Sequence, residues 1–557
     1  MREHPNPFLT VQLNIEFRSP KFRTFLMPAF WDGGNQLVVR FAPVDDGEWT
    51  YKVVSNIARW NDFQGRFVAA PAPEVPGFIH PRNVHHWAYA DSDRAHLWMA
   101  CAEPGFATMD RQSFAQMVDA RAAQKFTHLR GAIWGPKENP TPAFTGAAQP
   151  NAAYLRDIDE RVAYANSKGL VVDLVLGRDQ NQLKTLFPSW QERERYIRYV
   201  AARYSAYNVT WNLVQDFETY DPSRDLMKEM GLALKKSDPY AHPRSTVPAV
   251  TSSPLLQDNW MDHVLYQSAD DQLGAIEHQL FSLPFVNANF GCEGSSVSAD
   301  DIRHHLWNAA MNGQSPSYCR TAATKELQTA STKAMTAWFT LFNETRYWEL
   351  EPYFDLDGGR AVALPGVEYV VYVEQPSGPV EVRVEKHGYE VRWINPATGE
   401  EVPHDNVKSE KIVVDPPDRA HDWVLQIYRE GRREGLMKSY KFESQPVPVQ
   451  EVEVDAKKVP FEIVHPGHDD VSVSVPPRFE VKLTRQTRGT RSMMYLWTGE
   501  VSIESQGFRV LGTGSQGTMQ IPKNLAHRYP ATMNVRLYGM NANGKVYSID
   551  RVYGITQ

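Results

Sequence analysis

The chain has 557 residues, of which 22% are charged and 42% hydrophobic, and 59 Lys+Arg against 66 Asp+Glu leave a formal charge of −7. That length allows three or four domains with cores of their own, and 11% aromatic residues is too rich for a disordered chain. No run approaches the ~18 apolar residues of a membrane span, and no basic block long enough to neutralise a phosphate backbone points to nucleic acid.

The opening stretch, MREHPNPFLTVQLNIEF, has neither the apolar core nor the small-residue cleavage site of an export signal. From there to residue 72, short alternating runs separated by Gly, Asp and Pro predict an antiparallel β-sandwich module. The Pro-rich joint APAPEVPG, residues 70–77, marks its end. Between 73 and 350 the period changes. Eight apolar β runs (HLWMACA, THLRGAIW, LVVDLVLG, NVTWNLVQD, STVPAV, DHVLYQS, PFVNANFGCE and SPSYCRT) alternate with amphipathic helical stretches such as RQSFAQMVDARAAQKF and DIRHHLWNAAMNG. Eight such pairs over about 250 residues fit a (β/α)₈ TIM barrel. A doubly wound open sheet is the alternative, but it would want a Gly-rich phosphate turn after its first strand, where this chain has EPGF. Residues 351–430 return to β alternation and predict a sandwich; 431–446 is a polar, basic linker; 447–557 predicts a last all-β, Ig-like domain. The expected fold is therefore multidomain, a central barrel flanked by one N-terminal and two C-terminal sandwich-like units.

A barrel builds its active site at the C-terminal ends of its strands. Those ends offer Glu103; Arg130 and Trp134; Arg178 and Asp179; Asp216 and Glu218; Gln267 and Asp270; Asn289 and Glu293; Tyr318 and Arg320. Carboxylates facing each other from strands four and seven, with aromatic rings around them, suit glycosidic bond cleavage: one carboxyl protonates the leaving oxygen while the other attacks or activates water. Trp134 and Tyr318 fall where sugar-stacking platforms would be, and Arg130 either orients a carboxylate or pairs structurally with a neighbouring strand. His85 and His86 invite a metal reading, yet no third ligand lies at helical or hairpin spacing, so packing or, for His86, a hydrogen bond to substrate is expected and no metal or other cofactor is.

The same residues resemble a family. The N-terminal NPF…EF…PAFWDGG…VRFAPVDDGEWTY looks like the small module that precedes many glycoside hydrolase barrels, and GFIHPRNVHHWAYADSDRAHLWMA, WNLVQD and VNANFGCEG look like the apiosidase-like barrels of glycoside hydrolase clan A. EYVVYVEQPSG…YEVRWINPATGEE is similar to that family's C-terminal β-domain. The resemblance implies a carbohydrate partner, hydrolysis of a polysaccharide or its side chains, and a secreted or periplasmic home. It puts Asp216 in the acid/base role with Glu218 in reserve. On strand seven the resembling pattern N-A-E-F-G-Y-E-G reads N-A-N-F-G-C-E-G here, so Asn289 stands at the first glutamate and only Glu293 remains. Two readings follow. Glu293 is the nucleophile, with Asn289 and Gln267 binding substrate and a carboxyl separation from Asp216 of about 5–5.5 Å if configuration is retained or roughly 6.5–9.5 Å if it is inverted; or the site has lost its nucleophile and the chain is a catalytically impaired carbohydrate-binding protein.

The three cysteines are too few for a disulfide framework and lack zinc-type spacing. Cys101, Cys292 and Cys319 fall on strands one, seven and eight, which are neighbours in a closed barrel. They are expected as small fillers beside the mouth.

Overall fold

A computed structural model describes residues 4–90, 94–137, 142–321, 326–431, 451–472, 474–486, 492–502, 507–521 and 531–556. Near the N-terminus, Leu13–Arg18, Thr24–Pro28, Gly47–Ser55 and Gln64–Ala69 form one four-stranded antiparallel sheet. Its apolar face gathers Phe17, Met27 and Trp49 around Tyr240, a residue of the barrel. The Tyr240 hydroxyl accepts from Ala42 N at 2.8 Å and donates to Ala42 O at 3.0 Å, which fastens the module to its neighbour.

Eight parallel strands follow: Ala100–Ala102, His128–Ala132, Val171–Gly177, Val209–Val214, Arg244–Ser245, Val264–Tyr266, Phe285–Asn287 and Gln314–Arg320. Strands three and four are buried at every position, as expected of parallel strands covered on both faces. Helices between them begin at side-chain caps: Asp110, Asn151, Ser189, Asp270, Ser298 and Thr329 each accept from backbone N–H groups of the first turn. Ladders run from strand five through four, three, two, one, eight and seven to six. Strands five and six meet differently. Asp262 N donates to Arg244 O at 2.9 Å, and the intervening segment pairs Thr251 with Tyr266 in an antiparallel bridge, so this seam is an irregular one.

Side chains alternate along each strand between the lumen and the helix layer. Ala100, Val175, Val247, Leu265, Val286 and Ala288 share a cluster with Ile79, Trp87 and Trp98, which marks the lumen. Cys101, Leu129, Leu174 and Tyr318 pack instead with helix residues such as Met117 and Val162. The hairpin Ile79–Arg82/His86–Tyr89 closes the N-terminal end. There Trp98 stacks on His128 at 3.5 Å and lies 4.7 Å from Trp87. Burial pushes His96 and His263 down to about 3, so this plug carries neutral rings.

Beyond the barrel, residues 351–429 form a seven-stranded sheet dominated by the long hairpin Val380–Ile394/Glu401–Val414. The linker expected at 431–446 lies, after Gly431, outside the described residues. The last domain sets a three-stranded sheet against a five-stranded one over a core that includes Phe461, Phe479, Trp497, Val535 and Tyr553. It rests on the barrel helix Asp271–Leu280: Leu496, Met540 and Val546 pack with Tyr266, Leu273 and Ile276, and Thr513 Oγ1 donates to Asp270 Oδ2 at 2.5 Å. Among the described residues no helix is long and apolar enough to cross a membrane.

Trp98 is 1% exposed, and replacing it with alanine empties the plug. A loss of about 3–5 kcal/mol is expected for Trp98→Ala, measured as a lower denaturant midpoint of the barrel transition.

Candidate active site

A polar layer lies across the lumen beneath the mouth. Arg130 Nε donates to Asp173 Oδ2 at 2.7 Å, while Thr210 Oγ1 and Asn212 Nδ2 donate to Asp173 Oδ1 at 2.8 and 2.7 Å. Arg130 Nη1 reaches the opposite wall and donates to Ala288 O at 3.3 Å, one residue before Asn289. One guanidinium therefore ties strands two, three and seven, and through Asp173 it holds strand four. Asp173 was missed as a site residue by the strand-end rule, although an Asp inside the otherwise apolar LVVDLVLG is a visible signal of a buried partner.

Strand four ends at Val214, and the chain then turns sharply. Asp216 has φ +45°, in the left-handed region that a non-glycine residue adopts only when its surroundings hold it there. Thr219 supplies the hold: its N and Oγ1 donate to Asp216 O at 2.9 and 2.7 Å. The short 3₁₀ turn Phe217–Thr219 brings Glu218 to the same rim without any continuation of the strand. Asp216 Oδ1 accepts from Gln215 Nε2 at 2.9 Å, and Glu218 Oε2 accepts from Ala249 N at 2.9 Å.

Partial burial raises the Asp216 carboxyl, and Asp179 on the next loop adds to the rise. Glu218 is exposed, with one carboxyl oxygen held by the Ala249 N–H. Desolvation of that carboxyl, and then the Asp216 charge, push it up to about 7. Water at the rim screens part of that effect. Beside this pair opens a cavity of about 370 Å³ walled by Trp134, Lys137, Phe144, Arg178, Asp179 and Gln182.

Strands seven and eight correct the expectation for Glu293. Cys292 and Glu293 form a two-residue strand paired with Cys319 and Arg320, so alternation sends Cys292 and Cys319 to one face and Glu293 and Arg320 to the other. Glu293 Oε2 accepts from the Tyr318 hydroxyl and Oε1 accepts from Ser331 Oγ at 2.9 Å. Tyr318 is 1% exposed, with its ring 4.9 Å from the Arg121 guanidinium, and Ser331 lies fully buried on the helix Ala330–Asn343. The Glu293 carboxylate thus turns into the layer between strand eight and its helix. Burial, and then Glu293 itself, raise the Tyr318 phenol above its ordinary value, which keeps it a proton donor to that carboxylate. Arg320 likewise pairs with Glu103, Nη2 to Oε2 at 2.9 Å, in a buried ion pair at the rim. Asn289 Oδ1 accepts from Gly291 N at 2.9 Å.

The two aromatic platforms are corrected as well. Tyr318 is packed as described, and Trp134, 4% exposed, donates from Nε1 to Leu176 O at 2.9 Å and to the Tyr196 hydroxyl at 3.0 Å. At 4% exposure its ring leaves little surface for stacking, although it lines the cavity. His86 lies in the N-terminal hairpin, at the end of the barrel opposite the mouth, and pairs with Glu351. Gln267 follows strand six, half-buried, with its N–H donating to Val250 O at 2.8 Å.

The cysteines were expected as fillers. Cys292 and Cys319 instead form a disulfide with Cα atoms 4.5 Å apart, which clamps the segment after strand seven to strand eight. Cys101 is the one free thiol among the described residues, buried behind strand one. Burial pushes it up to about 11.

The eight-stranded parallel barrel carries carboxyls at its strand ends, and the comparisons identify a glycoside hydrolase family domain there. Residues 85–318 match the apiosidase-like catalytic domain and residues 1–56 match the domain of unknown function DUF5060. No curated protein matches the sequence. Among solved structures, a candidate glycoside hydrolase from Bacteroides vulgatus ATCC 8482 shares 18% identity at a TM-score of 0.68, covering 76% of this chain and 96% of its own. A glycoside hydrolase family 5 protein from the same organism shares 13% at 0.54, covering 64% and 95%. Likenesses at that identity establish the fold.

Two outcomes test this geometry. Denatured without reductant, the chain should bind one equivalent of a thiol-alkylating reagent by mass spectrometry, and three after reduction. Asp173→Ala should cost about 3–5 kcal/mol by leaving the Arg130 charge buried and unpaired, again as a lower denaturant midpoint.

Proposed function

We propose that this protein hydrolyses glycosidic bonds in a polysaccharide or its side chains, with Glu218 as the proton donor to the leaving oxygen and Asp216 as its ionised partner. The observation that carries this reading is the pair of carboxyls two residues apart on the strand-four rim, Asp216 held at φ +45° and Glu218 brought beside it by the 3₁₀ turn, with Glu218 raised to about 7 by desolvation and then by the Asp216 charge. Two carboxyls pushed to different proton affinities are the usual mark of an acid and a charged stabiliser at one site. A carboxyl still protonated near neutral pH gives up its proton readily as the glycosidic oxygen leaves, while the ionised one favours the positive charge that develops at the anomeric carbon. In this reading no covalent intermediate forms on Glu293, whose oxygens are engaged by Tyr318 and Ser331. Asn289 and Arg178 flank the substrate as hydrogen-bonding groups. The disulfide supports an oxidising compartment, the periplasm or the exterior.

A second reading has one observation behind it. Asn289 occupies the strand-seven position where resembling chains carry glutamate, and an amide neither attacks nor balances charge; the barrel would then bind carbohydrate without turning it over.

Aryl-glycosides and polysaccharides with wild type, Glu218→Gln, Asp216→Asn and Glu293→Gln separate these readings. Glu218→Gln should lower kcat/KM by about 10²–10⁴, with the smallest loss on substrates whose leaving group needs no proton. Glu293→Gln should stay within about tenfold of wild type if it folds; a loss as large as that of Glu218→Gln in a folded protein would restore Glu293 as nucleophile. Wild type that binds oligosaccharides but cleaves none would favour the binding reading. The raised Glu218 carboxyl is protonated below about 7 and charged above it, so kcat/KM should fall as pH rises through that value. The fall should vanish in Glu218→Gln.

A further inference from the structure

At the closed end of the barrel, away from the mouth, His85, His278 and Glu351 converge with one possible ligand atom each, all within 4.8 Å of one another. They come from three separate parts of the chain: the N-terminal hairpin, the last turns of the helix Asp271–Leu280, and the first strand of the seven-stranded sheet, Glu351–Tyr353. His85 and His278 are buried, and Glu351 nearly so.

Proton accounting at His85 makes the cluster informative. Its Nε2 lies 3.0 Å from Phe281 O, and a carbonyl only accepts, so Nε2 carries the hydrogen. In a neutral ring the Nδ1 lone pair then faces both Glu351 oxygens, at 3.0 and 3.1 Å, where a lone pair and a carboxylate repel. His278 Nε2 also faces Glu351 Oε2, at 3.5 Å, outside hydrogen-bonding geometry. A proton on His85 Nδ1, or a cation among these atoms, relieves that repulsion. Protonating both rings would place two imidazolium ions with centroids 3.9 Å apart, at a cost in repulsion. One divalent ion satisfies both nitrogens and the carboxylate at once. The spacing agrees, because metal–ligand bonds of ~2.0–2.1 Å in a tetrahedron put ligand atoms roughly 3.3–3.4 Å apart. His86 Nε2, 3.2 Å from Glu351 Oε1, stands within reach as a fourth donor.

We propose that His85, His278 and Glu351, with His86 beside them, bind a divalent transition ion, zinc by ligand type, as a structural clamp joining the barrel plug to the C-terminal sheet. Two imidazoles and a carboxylate suit zinc better than calcium or magnesium, which take mainly oxygen ligands. The clamp is remote from Asp216 and Glu218 and stands or falls independently of the proposed hydrolysis.

The test uses the full chain without a histidine tag. Wild type equilibrated with zinc and desalted should retain one equivalent by elemental analysis, and cobalt(II) loading should give the visible absorption of a tetrahedral nitrogen–oxygen site. His278→Ala and Glu351→Gln should each weaken zinc binding at least tenfold, and chelation should lower the wild-type Tm but leave those variants unchanged. Because the cobalt spectrum is read on wild type, a variant that misfolds does not remove the test. Wild type that retains no metal, shows no such spectrum and keeps its Tm on chelation would overturn the proposal in favour of an imidazolium–carboxylate cluster. Variants that bind zinc as tightly as wild type would overturn it by placing the metal elsewhere.

Discussion

Everything at the mouth depends on the charge pair between Arg130 and Asp173 inside the lumen. A fully buried carboxylate is tolerated because three donors from two other strands surround it. The same guanidinium spans to the carbonyl that precedes Asn289. The pair therefore does what apolar packing alone would not: it fixes the angular positions of strands two, three, four and seven relative to each other. Above it, the strand-four turn can hold Asp216 at a positive φ because its base does not move.

The mouth divides chemically into two sides. On the side of strands three and four, Asp179 lines the cavity, and Asp216 and Glu218 on the turn beside it are pushed toward their neutral forms by burial. On the side of strands seven, eight and one, carboxylates are consumed by structure: Glu103 by Arg320, Glu293 by Tyr318 and Ser331. The disulfide joins this second side into a rigid wall. The carboxyls of the strand-four turn thus share the mouth with a braced wall.

The fold was legible in the sequence because its signals are long. Runs such as LVVDLVLG and VTWNLV are apolar on both faces, and only parallel strands covered on both sides need that. Six of the eight runs named from the sequence contain their barrel strand whole, and STVPAV and SPSYCRT overlap theirs. The site was legible only in part. Asp216 and Glu218 lie at the rim where the sequence placed them because the strand-four end is a short extrapolation from a clear strand. Glu293, Tyr318 and Trp134 were misplaced because which face a strand-end residue presents depends on register, and one residue of shift exchanges lumen for helix layer. Strand seven ends at Asn287 and resumes at Cys292 on its neighbour, a break that periodicity does not reveal. The Cys292–Cys319 bond and the trio of His85, His278 and Glu351 were illegible for another reason. Their members are 27 to 266 residues apart, and only the closure of the barrel brings them together.

The irregular seam between strands five and six gives the terminal domain a role that its sequence did not suggest. A closed sheet distributes strain around its circumference, and a place without ladder hydrogen bonds is where it would open first. The last domain packs on Tyr266, Leu273 and Ile276 at the flank of that seam and is pinned there through Thr513 and Asp270. It is a buttress, set against the stave of the barrel whose seam is the irregular one.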